Sequence, residues 1–187
     1  INPQVLEASI VSGDFNGDNK ADIAFCNYGD SAFYILLNQS GVSRVCINGS
    51  TSFTSSVTGA AYQWQVNTGT GFSNISNNAN YTGTNTKVLQ LTNIPGSFRG
   101  YQYRCVADGS NGDVYTVSFT NSWTGSVDNH WENPGNWSCG TVPGNNTDVY
   151  IGGGKVELNS DAQILSLQIL PQVDFVVTPG NTLTVIH

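Results

Sequence analysis

Two runs, Tyr62-Gln63-Trp64-Gln65-Val66 and Tyr101-Gln102-Tyr103-Arg104-Cys105, decide how this chain folds. In the first, Tyr62, Trp64 and Val66 alternate with Gln63, Gln65 and Asn67. In the second, Tyr101, Tyr103, Cys105 and Ala107 take every other place. A two-residue period belongs to a strand with one face on a core, so each run predicts a half-buried strand facing a second sheet. The surroundings are rich in turns: 21 Gly in 187 residues, 10% charged residues, no Met, and Asn/Ser/Thr/Gly stretches between short apolar runs. No long segment holds a 3.6-residue period. The composition predicts an all-β protein with almost no helix.

The charge balance narrows the partners. A net charge of -7 with only six Lys and Arg gives no basic footprint, which argues against nucleic acid or an anionic membrane surface. The acidity fits solubility and cation binding. Four cysteines without a C-x-x-C pair speak against a zinc or redox motif and for disulfide chemistry in an oxidising compartment. No signal peptide, initiator Met or bilayer-spanning apolar run is present, so membrane insertion is not expected. The sequence reads as a mature or excised piece of a secreted, extracellular or cell-surface protein.

The order Cys46, Trp64, Tyr103, Cys105, with the Tyr two residues before the second Cys, resembles the immunoglobulin-like domains of large secreted bacterial proteins. YQWQVNTGTGF and GYQYRC carry the likeness. It implies an immunoglobulin-like sandwich over residues 44–120 with Trp64 in its core and an inter-sheet bridge between Cys46 and Cys105. A bridge closing about 60 residues would stabilise by roughly 4 kcal/mol on the chain-entropy estimate. The interval from Cys46 to Trp64 is longer than usual, which leaves a second arrangement open: Phe53 of Ser52-Phe53-Thr54 holds the strand's core place and Cys46 lies just outside the sandwich. If Cys46 pairs with Cys105, Cys26 and Cys139 are left to pair with each other or to stay as buried thiols, the latter being favoured.

Near the N-terminus, Gly13-Asp14-Phe15-Asn16-Gly17-Asp18-Asn19-Lys20-Ala21-Asp22 places Asp14, Asn16, Asp18 and Asp22 at positions 1, 3, 5 and 9 of a tight loop, with the Lys20 backbone carbonyl at position 7. Calcium takes six to eight oxygens, and such a loop supplies most of them with three balancing carboxylates. The bland alternative is an Asx-rich turn that binds nothing. GDFNGDNKADIA followed by Phe33-Tyr34-Ile35-Leu36-Leu37-Asn38 resembles an FG-GAP (VCBS) repeat, the calcium-binding blade unit of β-propellers, over about residues 1–43. The resemblance implies structural Ca2+ held by Asp14, Asn16, Asp18, Asp22 and the Lys20 carbonyl. One propeller-blade-like repeat cannot bury its own face, so a partner surface is expected.

The last third carries Trp123-Thr124-Gly125, Trp131-Glu132-Asn133-Pro134-Gly135-Asn136-Trp137 and Gly140-Thr141-Val142-Pro143, then Asp148-Val149-Tyr150-Ile151. This W-x-G/NW series resembles a C-terminal module of type IX-secreted bacterial surface proteins, over residues 121–187. Strands recurring at Val149–Ile151, Val156–Leu158, Ile164–Ile169, Val173–Val177 and Leu183–Ile186 predict a short β-solenoid or a small sandwich. The final strand reads as an edge, or as a strand lent to a neighbour. Trp at such spacing is expected in the core, although Trp131 and Trp137 would also serve as an aromatic platform for sugar. Asp128, His130 and Glu132 lie close in sequence, but no carboxylate pair, nucleophile elbow, phosphate loop or zinc-protease motif accompanies them. Asp30-Ser31-Ala32 resembles the O-glycosylation sequence of bacteria with type IX export, with Ser31 as acceptor.

Together these readings predict three β modules in a non-catalytic structural or adhesive segment of a bacterial surface protein. Its expected partners are other copies of itself through strand addition, or a polysaccharide or host surface. The alternative is a carbohydrate-binding appendage of a secreted hydrolase, working through Trp131 and Trp137.

Overall fold

A computed structural model describes residues 10–13, 15, 21–27, 32–36, 38 and 41–186. The chain is all-β and divides into two units, before and after the step from Ser40 to Gly41. In the first unit, β1 (Ile10–Gly13), β2 (Asp22–Asn27) and β3 (Ala32–Leu36) form an antiparallel meander. Ala24 and Asp22 are buried along β2, while Ile10, Val11, Phe33, Ile35 and Leu36 stay exposed.

The second unit begins with β4 (Val42–Val45), β5 (Thr51–Thr54), β6 (Tyr62–Asn67), β7 (Phe72–Asn74), β8 (Tyr81–Thr82) and β9 (Val88–Leu91). It continues through β10 (Gln102–Ala107), β11 (Ser110–Asn111) and β12 (Tyr115–Ser122). One sheet runs β7-β6-β10-β12, with β4 parallel to β12; the facing sheet is β5-β9-β8. The predicted alternation holds: Trp64 and Val66 on β6 and Tyr103, Cys105 and Ala107 on β10 are buried, and the residues between them are not. Phe53 takes the core place on β5, with its ring 6.5 Å from Trp64 and 5.5 Å from Tyr103. The Trp64 indole N–H donates to the Thr86 carbonyl at 2.9 Å, which satisfies its one polar atom inside the core. Tyr103 is fully buried, and its hydroxyl meets that of Tyr81 at 3.1 Å.

The remaining strands are β13 (Asp148–Ile151), β14 (Lys155–Leu158), β15 (Ala162–Ile164), β16 (Ser166–Ile169), β17 (Asp174–Val177) and β18 (Leu183–Val185). Each of the first three pairs in parallel with one of the last three: β13 with β16, β14 with β17, β15 with β18. The paired residues are 18, 19 and 21 positions apart (148 to 166, 155 to 174, 162 to 183), so the chain winds two coils of a three-sided solenoid. A small sandwich would need antiparallel hairpins, and the turns between these strands carry the chain round a corner instead.

The sandwich and the solenoid share a strand. On one edge of β12, Val117 N–H donates to the Tyr101 carbonyl next to β10, and further along the same edge Trp123 N–H donates to the Tyr150 carbonyl of β13. A β12 of eight residues thus hands its edge from one module to the next, producing one sheet from β7 to β16.

Candidate functional site

The described residues hold their densest polar and covalent chemistry where β12 passes between the two cores. Cys46, one residue beyond β4, is disulfide-bonded to Cys139 with Cα atoms 5.6 Å apart. This corrects the expected bridge from Cys46 to Cys105, and the register explains why. Val45 lies opposite Phe119, whereas Cys105 lies two residues beyond the Tyr103 to Tyr115 pair, at the other end of β12. Seven residues of strand separate those levels, about 23 Å at about 3.3 Å per residue, against the roughly 7 Å limit for joined Cα atoms. Cys105 is instead a buried free thiol opposite Trp64, and Cys26 is free and exposed on β2. Neither of the alternatives for Cys26 and Cys139, a mutual bridge or two buried thiols, is what forms.

Asn121 sets the second cysteine in place. It is buried in β12; its side-chain oxygen accepts from Cys139 N–H at 3.0 Å and Ser138 Oγ at 3.2 Å, and its amide donates to the Thr141 carbonyl at 2.7 Å. A cleft of about 190 Å³ lies beside the disulfide, lined by Val45, Ile47, Phe119, Asn121, Val142 and Thr147 among others.

A second tie lies on the edge of β12 where β10 gives way to β13. Arg99, just before β10, reaches Asp148 at the start of β13 through two N–H donors, at 3.0 and 3.1 Å. Ser118 and Ser166 hydroxyls donate to the same carboxylate at 2.9 and 2.5 Å, from β12 and β16. Burial alone would raise the pKa of Asp148, but the donors from Arg99, Ser166 and Ser118 outweigh it and hold that pKa below the usual carboxylate range. Four segments therefore converge on one carboxylate.

Above the first coil, the loop 124–137 folds around Asn136. This fully buried side chain accepts from Val127 and Asp128 N–H groups and donates to the Asp128 carboxylate and the His130 carbonyl. Asp128 is held below its ordinary pKa by Asn133, by His130 N–H and by Asn136. Glu132 accepts from Asn159 N–H and from the Ser160 hydroxyl. Each carboxylate of the trio Asp128, His130, Glu132 is thus bonded to the loop or the solenoid corner. Trp123, Trp131 and Trp137 are buried edge to face, with centroid spacings of 5.0 and 4.6 Å, and Trp131 also meets Phe175. Trp131 and Trp137 are 1% and 3% exposed, which corrects their assignment as carbohydrate contacts: no ring face is free to stack on a sugar.

Of the expected calcium ligands, Asp14, Asn16, Asp18 and Lys20 lie outside the described residues, as does Ser31. Asp22 is buried, and its two oxygens accept from Phe15 N–H at 2.9 Å and Asn38 N–H at 2.6 Å. Among the described residues no group of three or more His, Cys, Asp or Glu could hold a metal.

The sequence reading missed Arg99, Asn121, Asn136 and Asp148. Asn136 and Asp148 sat inside quoted runs, but Arg99, Asn121 and Asp148 act through partners 17 to 49 positions away. No curated protein and no solved structure matches the chain. Residues 122–187, which span the tryptophan-capped solenoid, match the model of a family described as a domain of unknown function, DUF8693.

Proposed function

We propose that this chain is a non-catalytic structural segment of an exported bacterial surface protein, in which the sandwich is displayed while tension passes through the solenoid. The observation that carries the reading is the Cys46–Cys139 disulfide. A pull on the two ends of the chain would run from residue 46 across the sulfurs to residue 139, so the 92 residues from 47 to 138 lie outside the path of tension. The shared strand and the Arg99–Asp148 pair keep the displayed sandwich in a fixed attitude to the solenoid. A disulfide also fits an oxidising, extracellular setting.

Calcium belongs to this reading as a stiffener of the first unit. Asp22, with Asp14, Asn16, Asp18 and the Lys20 carbonyl, would hold the ion. The adhesive version adds a partner such as a polysaccharide, a host surface or another copy. The appendage reading has lost its platform with the burial of Trp131 and Trp137.

Single-molecule pulling through both ends tests the proposal. The oxidised chain should extend less than the reduced chain by 92 residues, roughly 300–330 Å at about 3.3–3.6 Å each. Equal extensions with and without reductant would sink it.

A further inference from the structure

The outer face of the larger sandwich sheet is polar, ordered and locally basic. Alternation with their buried neighbours turns Gln65 and Asn67 of β6, Gln102 and Arg104 of β10 and Thr116 of β12 outward. On β4 the Ser43 hydroxyl bonds that of Thr51 on the facing sheet, so Arg44 next to it faces out. No residue that β4, β6, β7, β10 and β12 turn outward is Asp or Glu, although the chain carries a net charge of -7. On neighbouring β13, the Asp148 carboxylate is already taken by Arg99.

The face is fixed before any partner arrives. The Arg104 guanidinium lies 4.2 Å from the centroid of the Phe72 ring, and its Nε–H donates to Gln65 Oε1 at 2.8 Å. Gln65 donates in turn to Asn74, and Asn67 donates to Gln102 Oε1 at 3.0 Å. These bonds leave selected donors unused. Among the described residues, the two Nη groups of Arg104, the Gln102 amide nitrogen, the Thr116 hydroxyl and the whole Arg44 guanidinium have no partner. The register sets them in one line: Gln102 lies opposite Thr116, and Thr116 opposite Val42. Arg104 is two residues from that row along β10, and Arg44 is two residues from it along β4 in the opposite sense. Their Cα atoms are about 16 Å apart, four residues along the strands and two strands across, with Gln102 and Thr116 between them.

We infer that this face binds an acidic polysaccharide, with Arg104 and Arg44 on the carboxylates of separate sugar units and Gln102 and Thr116 on the hydroxyls between them. The chemistry selects the occupant. A guanidinium offers a planar fork that matches a carboxylate, and amide and hydroxyl groups match sugar hydroxyls, which both donate and accept. Nucleic acid carries a denser charge and needs a larger basic footprint than two arginines. A peptide strand draws its affinity from a free sheet edge, which the flat of a sheet does not offer. Because the Phe72 and Gln65 contacts already hold Arg104, little rotamer freedom is lost there on binding. The inference names the partner in the adhesive version of the proposed function and rests on that reading only for the display of the sandwich. The pulling experiment reads the disulfide, so either result can fail without the other.

Calorimetric titration of the intact, oxidised chain with polygalacturonate tests it, with methyl-esterified polygalacturonate as the uncharged control. The acid polymer should bind, more weakly as salt is raised, and the ester should bind far less. Arg104→Gln and Arg44→Gln should each weaken binding about tenfold, the loss of one charge-assisted contact. Arg44 makes no bond within the fold, so its variant separates binding from stability. Lys155→Gln removes a positive charge from the solenoid instead and should bind as the wild type does. Circular dichroism certifies that each variant is folded. No binding of polygalacturonate overturns the inference, as does equal binding of the ester. Equal losses in Lys155→Gln and the arginine variants, or a preference for single-stranded DNA over polygalacturonate, would also overturn it.

Discussion

Replacing Asp148 by Asn probes the joint between the modules at the atom where four segments meet. The substitution keeps the volume and removes the charge, so the two Arg99 donors and the hydroxyls of Ser118 and Ser166 face a neutral amide. Hydrogen bonds to a charged group are worth about 1.5–3 kcal/mol each in net terms, and a buried carboxylate also bears a desolvation cost that the amide escapes. With the site about a quarter exposed, the balance is a loss of about 2–3 kcal/mol at neutral pH. In a unit of this size that corresponds to a fall in Tm of roughly 4–12 °C. The sign of the pH dependence follows from the depressed pKa in the fold. The stabilisation is fully present above the unfolded carboxylate value of about 3.9 and is lost as pH falls through the lower folded value. Urea melts of wild type and Asp148→Asn from pH 7 to pH 2 should therefore converge at the acid end. A difference that is absent at pH 7, or constant down to pH 2, would refute the reasoning.

Removing the disulfide with Cys46→Ser and Cys139→Ser together should lower stability by about 4.6 kcal/mol on the chain-entropy estimate for a separation of 93 residues, read from denaturant midpoints; a loss under about 1 kcal/mol would contradict a native bridge. Trp131→Ala and Trp137→Ala should each cost about 3–5 kcal/mol, as large core truncations do, and a fully stable Trp137→Ala that loses polysaccharide binding would revive the sugar platform. Calcium should raise the thermal stability of the first unit, with excess chelator reversing the effect and Asp14→Asn abolishing it; calorimetry that shows no change with calcium would leave the loop as an Asx-rich turn.

The strands were legible because period-two patterning acts locally: Tyr62 to Asn67 and Tyr101 to Ala107 declare their inner faces without reference to any other segment. The same holds for the solenoid strands, whose parallel stacking was one of two readings of their recurrence. Disulfide partners are different, because they depend on register. The order Cys, Trp, Tyr, Cys suggested Cys105, but the pairing of β4 along β12 puts Cys46 at the opposite end of the sheet and beside Cys139. Phe53 then fills the place left in the core. Arg99 and Asp148 were equally hidden, since a charged residue before a strand reads as surface until β12 is seen to pass from β10 to β13. The tryptophans stood out as a motif whose spacing predicted a place in the core, and Trp123, Trp131 and Trp137 are buried there.

Non-reducing peptide mapping of the native chain tests the central claim most directly. The account predicts one cross-linked peptide pair containing Cys46 and Cys139, with Cys26 and Cys105 recovered as thiols. A pair joining Cys46 to Cys105 would contradict it, and with it the view that tension passes from residue 46 into the solenoid and leaves the sandwich at rest.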